Sequence, residues 1–141
     1  MKIAVIDGQG GGIGRVIVEK VSQTFGNKVE IIALGTNTMA TSIMLKAGAN
    51  MGATGEDAIL WNTPRVDIII GPIGIISPNT MLGEWTPKMA QALSESTAKK
   101  IVVPLCKWDI EIAGMNQKPL PQYVDDVILI VKKYVGGDCY V

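Results

Sequence analysis

The sequence predicts an α/β fold: a three-layer αβα sandwich around a mostly parallel sheet. Three observations carry that expectation. Short apolar runs rich in Ile and Val alternate with segments whose apolar residues recur every three or four positions. Glycines, prolines and helix-capping residues stand at the junctions between them. The chain has 141 residues, of which 48% are hydrophobic and 18% charged, enough apolar material for one packed core and one domain over residues 1–141. Strands that alternate with helices pair in parallel through right-handed crossovers.

The elements follow in order. Residues 2–7 form a short, nearly all apolar strand. Ile13, Val16, Ile17, Val21 and Phe25 then make one apolar face of a helix that stops at Gly26 and Asn27. A second strand covers residues 29–34, and a turn with good N-cap residues covers 35–38. The second helix runs from about Met39 to Ala47, with Gly48 as its left-handed cap. Residues 49–52 suit a short third strand, and Thr54 caps a third helix that ends before Pro64. Residues 66–70 are the clearest strand. Thr86 and Pro87 open a helix to about Ser96, and residues 99–105 are the next strand. Residues 109–113 alternate polar and apolar, as an edge strand does. Pro121 opens the last helix, with Val124, Val127, Ile128 and Val131 inward and Gly136-Gly137 as its end. The whole is Rossmann-like. Ligands of such sheets sit beyond the carboxyl ends of the strands, where the order of strands reverses. The irregular segments 8–14, 35–38 and 71–79 all follow strand ends, so they gather at one edge.

Composition excludes several classes. Lys and Arg together number 13, as do Asp and Glu, and no basic stripe exists, so nucleic acid is not an expected partner. Histidine is absent, which removes the commonest metal ligand and the usual general base, and no metal site is expected. No apolar run approaches the ~20 residues of a membrane span, and the N-terminal run is too short for a signal peptide, so a cytoplasmic protein is expected. Seven methionines and the apolar excess suit a homo-oligomer. Cys106 and Cys139 are far apart, without metal or redox spacing.

The segment Asp7-Gly8-Gln9-Gly10-Gly11-Gly12-Ile13-Gly14 stands between the first strand and the first helix. Five glycines in eight residues are costly in backbone entropy. A strand, a glycine turn and a helix N-terminus together favour an anion, because the first amides of the helix point outward at it. The alternative is a turn that serves only helix–strand packing. Thr36 and Asn37 open the second helix and can bond ribose or phosphate, or act only as its cap. Gly71, Pro72, Ile73 and Gly74 follow the best strand, where backbone can approach a ligand or simply turn away from the sheet.

The spacing Gly8-x-x-x-Gly12-Ile13-Gly14 is similar to the glycine loop of short-chain dehydrogenases, with Asp7 where that family has Thr. The resemblance implies a tight turn at Gly8, pyrophosphate on Gly12 and Ile13, close helix–strand packing at Gly14, and NAD or NADP as cofactor. The family's YxxxK pair is absent, since Tyr123 is followed four places on by Val127 and Tyr134 by Asp138, so its chemistry does not carry over. No acid stands at residues 34–37, where many NAD-binding folds hold the ribose hydroxyls, and no Arg for a 2′-phosphate. The chain as a whole resembles a family of small bacterial proteins of unknown function, marked by GQGGGIG, ALGTN, AGAN-x-GATGE, VDIIIGPIGI and MLGE-x-TPKMA. These stand here at residues 8–14, 33–37, 47–56, 66–75 and 81–90. That resemblance implies a Rossmann-like fold and cytoplasmic placement, and no activity.

Candidate acids are few. Glu84 lies on a loop facing the expected cleft and is the first catalytic candidate; a solvated or capping Glu is the alternative. Asp7 is the second, set against an Asp that accepts turn N–H bonds. Cys106, next to Lys107, is a nucleophile at a strand end or a small buried hydrophobe, and without histidine the second is favoured. Trp61, Trp85 and Trp108 can stack on a base or fill the core. The leading expectation is a nucleotide-binding protein, with the phosphates of NAD or NADP on Gly10, Gly11, Gly12, Ile13 and Gly14 and the reaction open. The others are a non-enzymatic sensor or partner-binding subunit, and a small lyase, isomerase or transferase acting on a phosphorylated metabolite with Glu84 or Asp7 as acid.

Overall fold

A computed structural model describes residues 1–105 and 111–135. Among these residues, β1 (Lys2–Asp7), β2 (Glu30–Gly35), β3 (Met51–Thr54), β4 (Ile68–Pro72) and β5 (Lys99–Val103) form one sheet in the order β3-β2-β1-β4-β5. Every neighbouring pair is parallel. The helices α1 (Gly12–Phe25), α2 (Thr38–Lys46), α3 (Glu56–Asn62), α4 (Pro87–Glu95) and α5 (Leu120–Lys132) alternate with the strands. The architecture is the three-layer α/β sandwich.

Alternation along each strand sorts the core into two layers. Ile3, Val5, Ile31, Ala33, Ile68 and Ile70 pack with α1, α5 and Met44 of α2. Ala4, Ile6, Ile32, Leu34 and Ile69 pack on the opposite face with Ile59 of α3 and with Met89 and Leu93 of α4. A strand covered on both faces has no solvent side, which is why β1 and β4 are continuous apolar runs. The expected face of α5 is buried, with Tyr123 added to it. No helix among the described residues is long and apolar enough to cross a membrane.

Several boundaries differ from the sequence expectation, each for a local reason. β3 begins at Met51, because Asn50 extends the ladder with its side chain: its Oδ1 accepts the Ile31 N–H at 2.8 Å while its own N–H donates to the Ile31 carbonyl. Thr54 does not cap α3. Its hydroxyl is shared with Thr41 at 2.7 Å, and Gly55, at φ 99°, takes the cap position instead. β4 starts at Ile68 rather than Val66 and runs on to Pro72. Its pairing with β1 stops at Ile70, opposite Val5, while pairing with β5 continues to Pro72. The ladder between β1 and β4 therefore ends early, at the point where the strand order reverses. The last helix opens at Leu120, behind Pro119, with Pro121 inside its first turn. Of the expected edge strand, residues 111–113 are not in a strand, and Asp109 and Ile110 lie outside the described residues. So do Cys106, Lys107, Trp108, Gly136, Gly137, Asp138 and Cys139.

Trp85 anchors the loop between β4 and α4. It is fully buried and its indole Nε1 donates to the Ile75 carbonyl at 2.8 Å. Of the two other tryptophans, Trp61 is 62% exposed with the Arg65 guanidinium stacked on it at 3.5 Å, and Trp108 is not described. Trp85→Ala is expected to cost about 3–5 kcal/mol in urea unfolding followed by circular dichroism, whereas Trp61→Ala, on the surface, should shift the midpoint little.

Candidate nucleotide site

β1 ends at Asp7, which is 5% exposed. Its Oδ1 accepts the Gly8 N–H at 2.8 Å and its Oδ2 the Gly14 N–H at 2.6 Å. One carboxylate thus holds both ends of the glycine loop. Its main-chain oxygen also accepts the Thr36 N–H at 3.0 Å, tying the loop to the end of β2. Burial is the largest influence on this carboxyl and pushes it above its ordinary value of 3.8. The amides of Gly14, Gly8 and Ile13 act in the opposite direction without overcoming it, and the charge of Glu84 adds to the rise. Asp7 is therefore the acceptor of turn amides, one of its two expected roles.

The glycines divide by what surrounds them. A Cβ on Gly8 would come 2.5 Å from the Thr36 hydroxyl and 2.6 Å from the Met81 sulfur. On Gly14 it would come 2.6 Å from the Met44 sulfur and 2.9 Å from the Asp7 Cβ, the close helix–strand packing expected at that position. Gly11 caps α1 in the left-handed region at φ 72° and lies against the Ala40 backbone. These three serve the fold. Gly10 and Gly12 are different. Neither has a positive φ, and a Cβ on either would meet nothing within 4 Å. Both are solvent-facing, with Gly12 the first residue of the 14-residue helix α1. The N-cap Gly11 offers no side chain and no acid lies in the first turn itself; the Asp7 carboxylate holds the Gly14 amide from the sheet side, and Gly12 faces outward at the helix start.

The second wall comes from β2 and α2. Asn37 caps α2, its Oδ1 accepting the Ala40 N–H at 2.9 Å, and its Nδ2 donates to the Gln9 carbonyl at 3.0 Å. The third comes from residues 77–86. Met81 and Leu82 there, with Asn79, have φ of 58°, 55° and 65°, and Gln9 in the glycine loop has 49°. Among the described residues these are the non-glycine residues with positive φ, and all four lie in the two loops that meet at this edge. Such backbone costs on the order of 1–3 kcal/mol per residue and collects at functional sites.

Glu84 links the three walls. Its Oε1 accepts the Gln9 N–H at 2.9 Å, the Thr36 hydroxyl at 2.6 Å and the Asn37 Nδ2–H at 2.9 Å. Burial pushes the carboxyl up, but those hydrogen bonds outweigh it and hold the group below its ordinary value of 4.5. Of the expected binding residues, Gly8, Gln9, Gly10, Gly11, Gly12, Ile13, Gly14, Thr36 and Asn37 are brought together with Asp7 and Glu84. Gly71, Pro72, Ile73 and Gly74 are buried. A Cβ on Gly71 would meet the Ile6 carbonyl at 2.8 Å, and the Gly74 carbonyl accepts the Thr80 hydroxyl and the Ser77 N–H. Those four do not open their backbone to solvent. Sequence reasoning missed Met81, which covers Gly8, and the seating of Glu84 on Thr36 and Asn37. Nothing in the sequence links positions 36 and 84. No group of three or more His, Cys, Asp or Glu able to hold a metal ion occurs among the described residues.

The family model described as Domain of unknown function (DUF3842) matches residues 2–136, and the chain belongs to that family. No curated protein and no solved structure matches it.

Asp7 and Glu84 titrate with opposite consequences. Asp7, raised in the folded state, contributes stability that is full below 3.8 and is lost as pH rises through its folded value. Glu84, lowered, contributes stability present above 4.5 and lost as pH falls through its folded value. In urea midpoints measured from neutral pH downward, Glu84→Gln should flatten the loss below pH 4.5. Parallel curves for variant and wild type would show that its carboxylate is not held by these donors in solution.

Proposed function

We propose that this chain, from a family whose description carries no activity, binds a nucleotide of the NAD or NADP kind, with its phosphates on Gly10, Gly12 and the amides that open α1. The observation that carries the reading is the pair Gly10 and Gly12. The fold needs neither of them to be glycine: there is no positive φ and no crowding at either. Glycine also carries more backbone entropy to lose on folding than any other residue. Glycine at two open positions beside a helix N-terminus is accounted for by a ligand whose phosphates must come close to the backbone. The place also fits, since ligands of parallel sheets sit where the strand order reverses, here between β1 and β4. The concentration of left-handed residues around the same edge is further support. The reading is of binding; no reaction is assigned to it.

The test is a thermal-shift panel of NADH, NADPH, FMN, FAD, ATP and coenzyme A. A ligand at 100 times its dissociation constant stabilises by about 2.7 kcal/mol, so a true ligand gives a clear rise in Tm. Gly12→Val should leave the unliganded Tm close to wild type, because its Cβ enters open space, and should abolish the rise. Gly14→Ala, which forces a Cβ against Met44 and Asp7, should instead lower the unliganded stability by about 1–3 kcal/mol. Silence from all six compounds, or binding that survives Gly12→Val, defeats the reading.

A further inference from the structure

We propose that Glu84 is the ribose-binding carboxylate of this site, and that it selects a dinucleotide with a free 2′-hydroxyl, NAD, over one with a 2′-phosphate, NADP. The inference rests on the nucleotide reading above and adds which dinucleotide and which residue decides. The end of β2 carries no acid, since Gly35, Thr36 and Asn37 stand there. Folding brings one to that place from 48 residues further along the chain: Thr36 Oγ1 and Asn37 Nδ2 donate to Glu84 Oε1 at 2.6 and 2.9 Å. The third donor to the same oxygen is the Gln9 N–H of the glycine loop, at 2.9 Å. The carboxylate therefore bridges the loop after β1 and the end of β2. A nucleotide with its phosphates on the start of α1 has its adenosine ribose between those two segments.

All three donors converge on Oε1. Oε2 accepts no hydrogen bond among the described residues, and the side chain is only half-buried. One carboxylate oxygen is thus fixed and the other is a positioned acceptor, suited to an O–H donor such as a ribose hydroxyl. A phosphate in the same place would meet a carboxylate held ionised, and among the described residues no Lys or Arg donates to Glu84, Thr36 or Asn37 to offset the repulsion. Discrimination then comes from both sides, a bond made with the hydroxyl and a repulsion raised against the phosphate.

Isothermal titration calorimetry of the wild-type chain with NAD, NADP and 2′-deoxy-NAD tests this. NAD should bind about tenfold or more tighter than either of the others. Glu84→Gln keeps a carbonyl oxygen for the three donors and removes the charge, and it should narrow the preference against NADP to a few-fold at most. If wild type takes NADP or 2′-deoxy-NAD as well as NAD, or if Glu84→Gln leaves the NAD-to-NADP ratio unchanged, the inference is overturned while nucleotide binding stands. If none of the three binds to wild type, NAD-type binding fails and takes this inference with it. The 2′-deoxy comparison needs no variant, so the outcome does not depend on how well Glu84→Gln folds.

Discussion

The structure around the candidate site depends on one buried carboxylate. Asp7 accepts amide hydrogens from both ends of the glycine loop, while its backbone carbonyl holds the end of β2. A loop this rich in glycine has little stiffness of its own and few side chains to pack. The carboxylate fixes where β1 stops and α1 starts, and the missing Cβ at Gly14 lets the helix lie close to Asp7 and Met44. Burial raises the cost of its charge, and the amides at the helix N-terminus return part of it. The clamp also has a consequence for binding. Because Asp7 already holds the Gly8 and Gly14 amides, the open face of the loop is left to Gly10 and Gly12.

The segment between β4 and α4 closes the arrangement. Trp85 roots it in the core, and beyond that root the chain accepts a series of left-handed residues, with Leu82 at its tip 97% exposed. Strain of that kind persists only where the surroundings hold it. Here the hold is the buried Trp85, the bonds of Asn79 and Thr80 within the segment, and the donors on Glu84. The two acids at this edge are opposites in environment. Asp7 is buried and pushed up, whereas Glu84 is half-buried and held down. That separates a structural carboxylate from one kept ionised and open on one side.

Much of the fold was legible because its causes are local. Apolar runs marked β1, β2 and β4, helical spacing marked α1 and α5, and Thr86-Pro87 marked the start of α4, which the Thr86 hydroxyl caps through the Met89 N–H. Errors fell where a side chain did the work of backbone or was already engaged. Asn50 lengthened a ladder, and Thr54 was taken by Thr41. The glycine loop was legible as a cluster, but its division of labour was not. Whether a glycine is crowded or open depends on Ala40, Met44 and Met81, which come from other parts of the chain.

By itself the sequence determined the alternation of strands and helices, the buried faces and the glycine-rich turn, because periodicity and turn chemistry act over a few residues. It also determined that no acid follows β2 within the same segment. Only the tertiary structure decided the strand order β3-β2-β1-β4-β5, the early end of the ladder between β1 and β4, and the seat of Glu84 on Gln9, Thr36 and Asn37. Those depend on contacts between residues far apart in the chain. The Glu84 carboxylate reaches the end of β2 from 48 residues along the chain, and only the packing of one loop over two strand ends brings it there.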